Sequence, residues 1–308
     1  RNAAARVDAD SSSRAELGVV AAMTLGDKSL LPSDLKDVYS VVGSSHVLAL
    51  SGLHLSILYG LLSLLMFRRR RQWVVQGILL TAIWMYVFLV GMPVSIVRSA
   101  LMLSAYSLMT LSGRDKSPLN TLAFAALVVL VLQPFALYDI GFQLSFLAVL
   151  SLVLFYRPLS QWLLPTMIKR SKVLKPVADI GIVSLAAQIG TAPLVAYYFG
   201  RFSCCFLLAN YIVTPCASVI LFCGLLSLLL IPFPLLQGLL MRFLLWVVGL
   251  QNEVLSWLSS FSWASIEGIR LSAIQVMLVY VVIALLSILI YQITRVGKNP
   301  DPMRATAE

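Results

Sequence analysis

About nine apolar stretches, each close to the ~20 residues a helix needs to cross hydrocarbon at about 1.5 Å per residue, leave this chain little choice of fold. They fall at about 46–66, 73–92, 94–111, 119–138, 142–163, 177–199, 204–231, 235–251 and 272–294. A bilayer interior offers no water to unpaired backbone groups, so such segments satisfy themselves as helices. The expected fold class is therefore all-α, a polytopic transmembrane helical bundle. Composition agrees: 60% of residues are hydrophobic and only 12% charged, with a mean hydropathy of +0.92, which excludes an ordinary soluble domain. Pro215, next to Thr214 in the long seventh stretch, predicts a kink or break there. The stretch 158–176, with a basic cluster flanked by Pro165 and Pro176, reads as an interfacial helix or loop, and a second such helix is expected at 252–262. No internal repeat at a fixed period is visible, which weighs against an inverted-repeat transporter.

The net charge of +10 invites a nucleic-acid reading until it is mapped. Arg68–Arg71 follow the first stretch, Arg114 and Lys116 the third, and Arg157, Lys169, Arg170, Lys172 and Lys175 the fifth; Arg242, Arg295, Lys298 and Arg304 keep the same parity. The opposite loops hold only Arg201 and Arg270. By the preference of cytoplasmic loops for Lys and Arg, the N-terminus lies outside and the C-terminus inside. Topology absorbs most of the charge, so it is not counted as a binding surface. Residues 1–45 form an outer-face segment with short amphipathic helices, 46–296 the transmembrane unit, and 297–308 a cytoplasmic tail.

Against this background, a few polar residues sit where lipid cannot satisfy them. His46, Ser51 and His54 lie in the outer half of the first stretch, Arg98 near the outer end of the third, and Asp139 and Gln143 at the outer end of the fifth. Asn210 is also in an outer half. Gln188 and Thr191 come nearer the middle of the sixth, followed by Pro193, where the backbone is expected to open. Together they predict a polar vestibule facing outward. Each has a plainer role: His46 solvated at the interface, His54 in an interhelical hydrogen bond, Arg98 paired with Asp139, and Gln143, Gln188 and Asn210 joining helices. Gly52 and Gly141, with Gly190, suit close helix packing.

All of these but His46 fall in five ordered motifs: Ser51-Gly52-Leu53-His54; Pro93-Val94-Ser95-Ile96-Val97-Arg98-Ser99-Ala100-Leu101-Met102; Asp139-Ile140-Gly141-Phe142-Gln143-Leu144-Ser145-Phe146; Ala187-Gln188-Ile189-Gly190-Thr191-Ala192-Pro193; and Leu208-Ala209-Asn210. In this order they resemble the competence domain of the ComEC family, bacterial inner-membrane proteins of DNA uptake in natural transformation. The resemblance runs from about Leu17 to Leu289. Ser99 departs from it, since Ala more often follows the Arg. It implies a channel passing single-stranded DNA from outside to cytoplasm, with His46, Ser51, His54, Arg98, Asp139, Gln143, Gln188 and Asn210 as candidate DNA-pathway residues and Gly52, Gly141 and Pro193 as structural motif positions. It implies partners too: an outer-face DNA receptor, a cytoplasmic helicase or ATPase, and single-strand-binding proteins, alongside membrane lipid and room for a homo-oligomer. In that family an OB-like outer domain commonly precedes the competence domain, and residues 1–45 look like its tail. Arg1 opens the chain without a start methionine or signal peptide, as expected of a fragment.

Catalysis is not expected. No Gly-x-x-x-x-Gly-Lys-Ser/Thr loop occurs, and no cofactor is implied. Cys204, Cys205, Cys216 and Cys223 show no metal-ligand spacing with the two histidines and read as small buried residues. Many family members carry a C-terminal metallo-β-lactamase-type domain, and no such motif lies within these 308 residues. An intramembrane enzyme built on Ser51 and His54 is disfavoured, because residues three apart on a helix share a face but seldom point at each other. The alternative to a DNA conduit is a secondary transporter for a small anionic solute, with Arg98 as counter-ion and the histidines as a proton relay.

Overall fold

A computed structural model describes the backbone of residues 2–65, 72–111 and 117–296. The basic residues Arg68–Arg71, Arg114, Lys116, Lys298 and Arg304 lie outside these. The order is α1 (Asn2–Thr24), α2 (Ser33–Val41), α3 (Ser45–Leu48), α4 (Gly52–Leu65), α5 (Gln72–Leu89), α6 (Val94–Leu111), α7 (Pro118–Leu132), a 3₁₀ turn (Pro134–Tyr138), α8 (Ile140–Leu163), α9 (Thr166–Arg170), α10 (Leu174–Phe199), β1 (Arg201–Ser203), α11 (Phe206–Leu229), α12 (Pro234–Ser259), β2 (Ser265–Glu267) and α13 (Ala273–Val296). Five helices, α8 and α10–α13, are long and apolar enough to cross a membrane, and α4–α7 contain shorter apolar helices. Among the described residues each expected stretch overlaps an apolar helix, and five of these helices meet the full length of a span.

Three boundaries differ from the sequence reading. The first stretch is two helices, because Ala49 is extended (φ −96°, ψ 135°) and Ser51 precedes the new helix. The fourth ends at Leu132, since Pro134 disfavours helix at Gln133 and starts a 3₁₀ turn instead. The eighth stretch and the interfacial helix at 252–262 are one continuous helix, α12, whose polar Gln251 and Asn252 face α2 rather than water: Gln251 donates to the Tyr39 hydroxyl (2.8 Å), which donates to Asn252 (2.9 Å). Neither Pro215 nor Pro193 breaks its helix. In apolar surroundings each helix holds its remaining hydrogen bonds rather than opening. The bundle is also not purely helical. β1 and β2 form an antiparallel pair with Phe202 opposite Ile266.

Val19, Ala22 and Met23 of α1 and Tyr39 of α2 are fully buried with Val213 and Ile220 of α11 and Leu244 and Leu255 of α12. Tyr86 of α5 donates to the Thr24 carbonyl (2.8 Å). Val19, Val20, Ala22, Met23, Leu31, Tyr39 and Val42 therefore tie this segment to the bundle, while most of residues 25–37 stay exposed. A second core joins α4, α5 and α6 through Leu55, Leu58, Ile83, Val87, Ile96 and Ala100. Apolar side chains also cover the outside: Val131, Leu132, Ile274 and Met277 are each about 70% exposed. Such belts are stable only against lipid or another protein.

Tight turns and short motifs gather one end of the bundle. At the α5–α6 turn, the Met92 amide reaches the Val87 carbonyl (3.0 Å), and Gly91 and Met92 both take positive φ (82° and 56°). This is a Schellman-type stop. Contacts running from α4 to α6, from α6 to α8, from α8 to α10 and from β1 to β2 then bring the starts of α4, α6, α8, α11 and α13 to the same side.

Candidate functional site

That gathered end holds most of the polar residues singled out in the sequence. Ser51 begins the site. Its backbone N–H lies 3.2 Å from His54 Nδ1 and its hydroxyl 3.0 Å from the same atom. The backbone N–H must donate, so Nδ1 is the acceptor and the proton of a neutral ring sits on Nε2. His54 thereby satisfies an orphan donor at the start of α4, as a capping side chain does. Its ring is wholly buried and Nε2 has no hydrogen-bond partner. The sequence argument that Ser51 and His54 do not point at one another is corrected here: Ser51 precedes the helix instead of lying within it, so the helical geometry does not apply.

The start of α4 packs on the first turns of α6. The Ser95 hydroxyl donates to the Leu50 carbonyl (2.7 Å) and that of Ser99 to Ser95 (3.0 Å). A Cβ on Gly52 would come within 2.8 Å of Ser99 Oγ, so a larger residue there displaces the Ser99 hydroxyl from its bond to Ser95.

Between Ser95 and Ser99, Arg98 turns toward α8. It is 2% exposed, and its Nη1 lies 3.4 Å from Asp139 Oδ1. That oxygen also accepts from the Phe142 amide (2.7 Å), capping α8. The guanidinium sits 5.8 Å from the Phe142 ring centroid, within cation–π range. Gly141 is less constrained than Gly52: a Cβ there would stand 3.1 Å from the Asp139 carboxylate, which would have to give slightly, and in ordinary contact with Arg98 Nη2 at 3.5 Å. The plainer reading of Arg98, an ion pair, is thus realised. It is lopsided: the Asp139 side chain is 54% exposed, and Arg98 Nε is buried without a partner.

Gln143 is spoken for, donating to the Leu137 carbonyl (2.8 Å) and accepting from the Tyr198 hydroxyl (2.8 Å). His46 is exposed on α3. The remaining candidates lie apart, along α10. Asn210 donates to Ser184 (3.2 Å), joining α11 to α10, while its Oδ1 stays buried and unpartnered. Gln188 is half-buried on the same helix. Pro193 does not open α10, contrary to expectation. Nearby, the carbonyl of Gly190 accepts from the Tyr280 hydroxyl of α13 (2.8 Å), joining the two helices.

Sequence reasoning missed Tyr39, Gln251 and Asn252, and also Arg201, which binds Ser40 (3.2 Å) and Glu267 (2.9 Å) to fix α2 and the β pair at this end. The trio Gln251-Asn252-Glu253 inside an apolar run was the available signal. Among the described residues, no group of three or more His, Cys, Asp or Glu side chains is placed to hold a metal ion.

Fold and site together define a polytopic membrane protein with a polar end built from helix starts. A model of the family described as "Competence protein" matches residues 23–292, and the chain belongs to that family. It is 32% identical over 202 residues to ComE operon protein 3 of Bacillus subtilis, covering 64% of this chain and 24% of that protein. It is 30% identical over 158 residues to competence protein ComA of Neisseria gonorrhoeae (48% of this chain, 23% of that one). An uncharacterized Escherichia coli protein, YcaI, is 25% identical over 215 residues (66% and 27%). The matched region is about a quarter of each relative's length. No solved structure matches.

Proposed function

We propose that this chain is the membrane-spanning conduit that passes single-stranded DNA from outside to the cytoplasm in competence, in a bacterial inner membrane, with its N-terminus outside, its C-terminus inside and the polar end facing outward. The observation that carries the reading is the assembly of the Ser51–His54, Ser95–Ser99 and Asp139–Gln143 segments around one buried, under-partnered arginine. A strand carries a phosphate at every nucleotide, and a conduit must meet each one without holding it. Arg98 suits that task. Arg98 itself is 2% exposed and its counter-ion Asp139 is half-exposed, so a passing phosphate meets the pair from the Asp139 side and competes there for the cation. The family resemblance supplies the identity of the strand, and the Lys- and Arg-rich loops at the opposite end supply the direction.

The proposal makes the chain a passive element rather than an enzyme. Driving force then comes from a cytoplasmic helicase or ATPase and single-strand-binding proteins, with a receptor delivering DNA outside. A photo-crosslinking side chain placed at position 95 or 143, half-buried beside the Arg98–Asp139 pair, tests it during uptake. Adducts with the labelled incoming strand at both positions are expected. A protein present at normal abundance that yields adducts at neither position contradicts a path past this end.

A further inference from the structure

At the end of the bundle opposite the polar site, one stretch has a composition that topology alone does not explain. From Arg157 to Ala178 the chain holds Arg157, Lys169, Arg170, Lys172 and Lys175 and no Asp or Glu. All five cations are exposed. Asp179, the first acid after them, accepts from the Tyr156 hydroxyl (3.0 Å). A bias toward cytoplasmic loops accounts for the charges but requires nothing of the residues between them. Those residues are large, apolar and outward: Trp162 is 58% exposed, Met167 86% and Val173 75%. They sit on a chain that leaves α8 at Leu163, makes the single turn of α9 and re-enters as α10. Ser171 Oγ accepts from the Leu174 amide (3.2 Å) to fix that re-entry, and Lys169 Nζ reaches back to the Gln161 carbonyl (3.3 Å).

We infer that the α8–α9–α10 elbow is a docking surface for anionic phospholipid, with Lys169, Arg170, Lys172 and Lys175 on the headgroup phosphates and Trp162, Met167 and Val173 entering the acyl boundary. Cations beside exposed apolar and tryptophan side chains are what an interfacial element presents to a charged leaflet. A zwitterionic surface satisfies the apolar half alone. The strong pairing of α8 with α10 makes the elbow a fixed anchor, so lipid bound there steadies the two helices whose other end carries Asp139 and Tyr198. The inference stands without the DNA reading, because it concerns a different end and a different ligand.

The test uses the purified full chain in nonionic detergent, with phosphatidylglycerol or phosphatidylcholine added and retained lipid counted by native mass spectrometry. Phosphatidylglycerol is expected to be retained over phosphatidylcholine. The variant Lys169→Gln/Lys172→Gln/Lys175→Gln weakens that retention by up to about a hundredfold, taking roughly fivefold per charge at a leaflet surface, whereas Lys28→Gln/Lys36→Gln at the other end does not. A second variant, Met167→Ser/Val173→Ser, keeps every charge and is expected to lose retention of both lipids. Equal retention of phosphatidylglycerol by wild type and the triple-glutamine variant overturns the inference. So does a short single-stranded oligonucleotide that binds wild type but not the triple-glutamine variant while the lipids bind both alike, since the elbow then serves nucleic acid.

Discussion

The pair formed by Arg98 and Asp139 predicts an unequal response to losing either partner. At 3.4 Å, two unit charges attract by about 5 kcal/mol at an effective dielectric of ~20 and by about 1 kcal/mol in water. Asp139 is half in solvent, so about 2 kcal/mol is a reasonable net value. Asp139→Asn keeps an N-cap of similar quality for α8 but leaves the arginine, 2% exposed, without its counter-ion. Unpaired buried charge is the expensive case. Arg98→Met removes the charge, keeps much of the volume, and leaves a carboxylate that is solvated and still bonded to the Phe142 amide. Thermal unfolding in detergent should therefore show Asp139→Asn lowering the midpoint by several degrees and Arg98→Met by little. The double variant should recover most of the loss, with a coupling of about 2 kcal/mol. DNA entry should fall in the opposite order, with Arg98→Met the more defective. A larger stability loss in Arg98→Met than in Asp139→Asn, or no coupling, refutes the reasoning.

Three further outcomes follow from particular contacts. Gly190→Ala would drive a Cβ into the Ser151 side chain and to 3.2 Å from the Leu147 carbonyl, costing about 1–3 kcal/mol, and Ser151→Gly should restore most of it in the same melting assay. Tyr39→Phe leaves Gln251, wholly buried with its Oε1 already unpartnered, without the acceptor for its Nε2, and should cost about 1–3 kcal/mol; Tyr39→Phe/Gln251→Leu should be less damaging than Tyr39→Phe alone. Met92→Gly relieves a left-handed residue at φ 56° and should stabilise the fold by about 1 kcal/mol, seen as a raised midpoint, while Gly91→Ala lowers it.

Much of the fold was legible because hydropathy and helix length are the same constraint in lipid. The reading of 94–111 matches α6 residue for residue, and Asp139 was placed at the head of α8. What escaped was local. The break at Ala49–Ser51 leaves no mark in an apolar run, since it depends on His54 turning back to cap Ser51. Pro134 marks the end of α7, but apolar residues continue to Tyr138 and mask it. Gln251 and Asn252 look like the end of a span, because their partner, Tyr39, lies more than two hundred residues earlier in the chain. Of the site, the residue identities were recoverable and the groupings were not. Nothing in the sequence separates Arg98, Asp139 and Gly141, which meet, from Asn210, which joins α11 to α10.

Arrival of labelled DNA in the cytoplasm of the native host tests the central claim most directly, comparing wild type, a clean deletion and Arg98→Met at matched protein levels. The account predicts DNA held outside the inner membrane in the deletion and in the variant. Normal entry in the deletion contradicts it, and would favour transport of a small anionic solute past the same arginine.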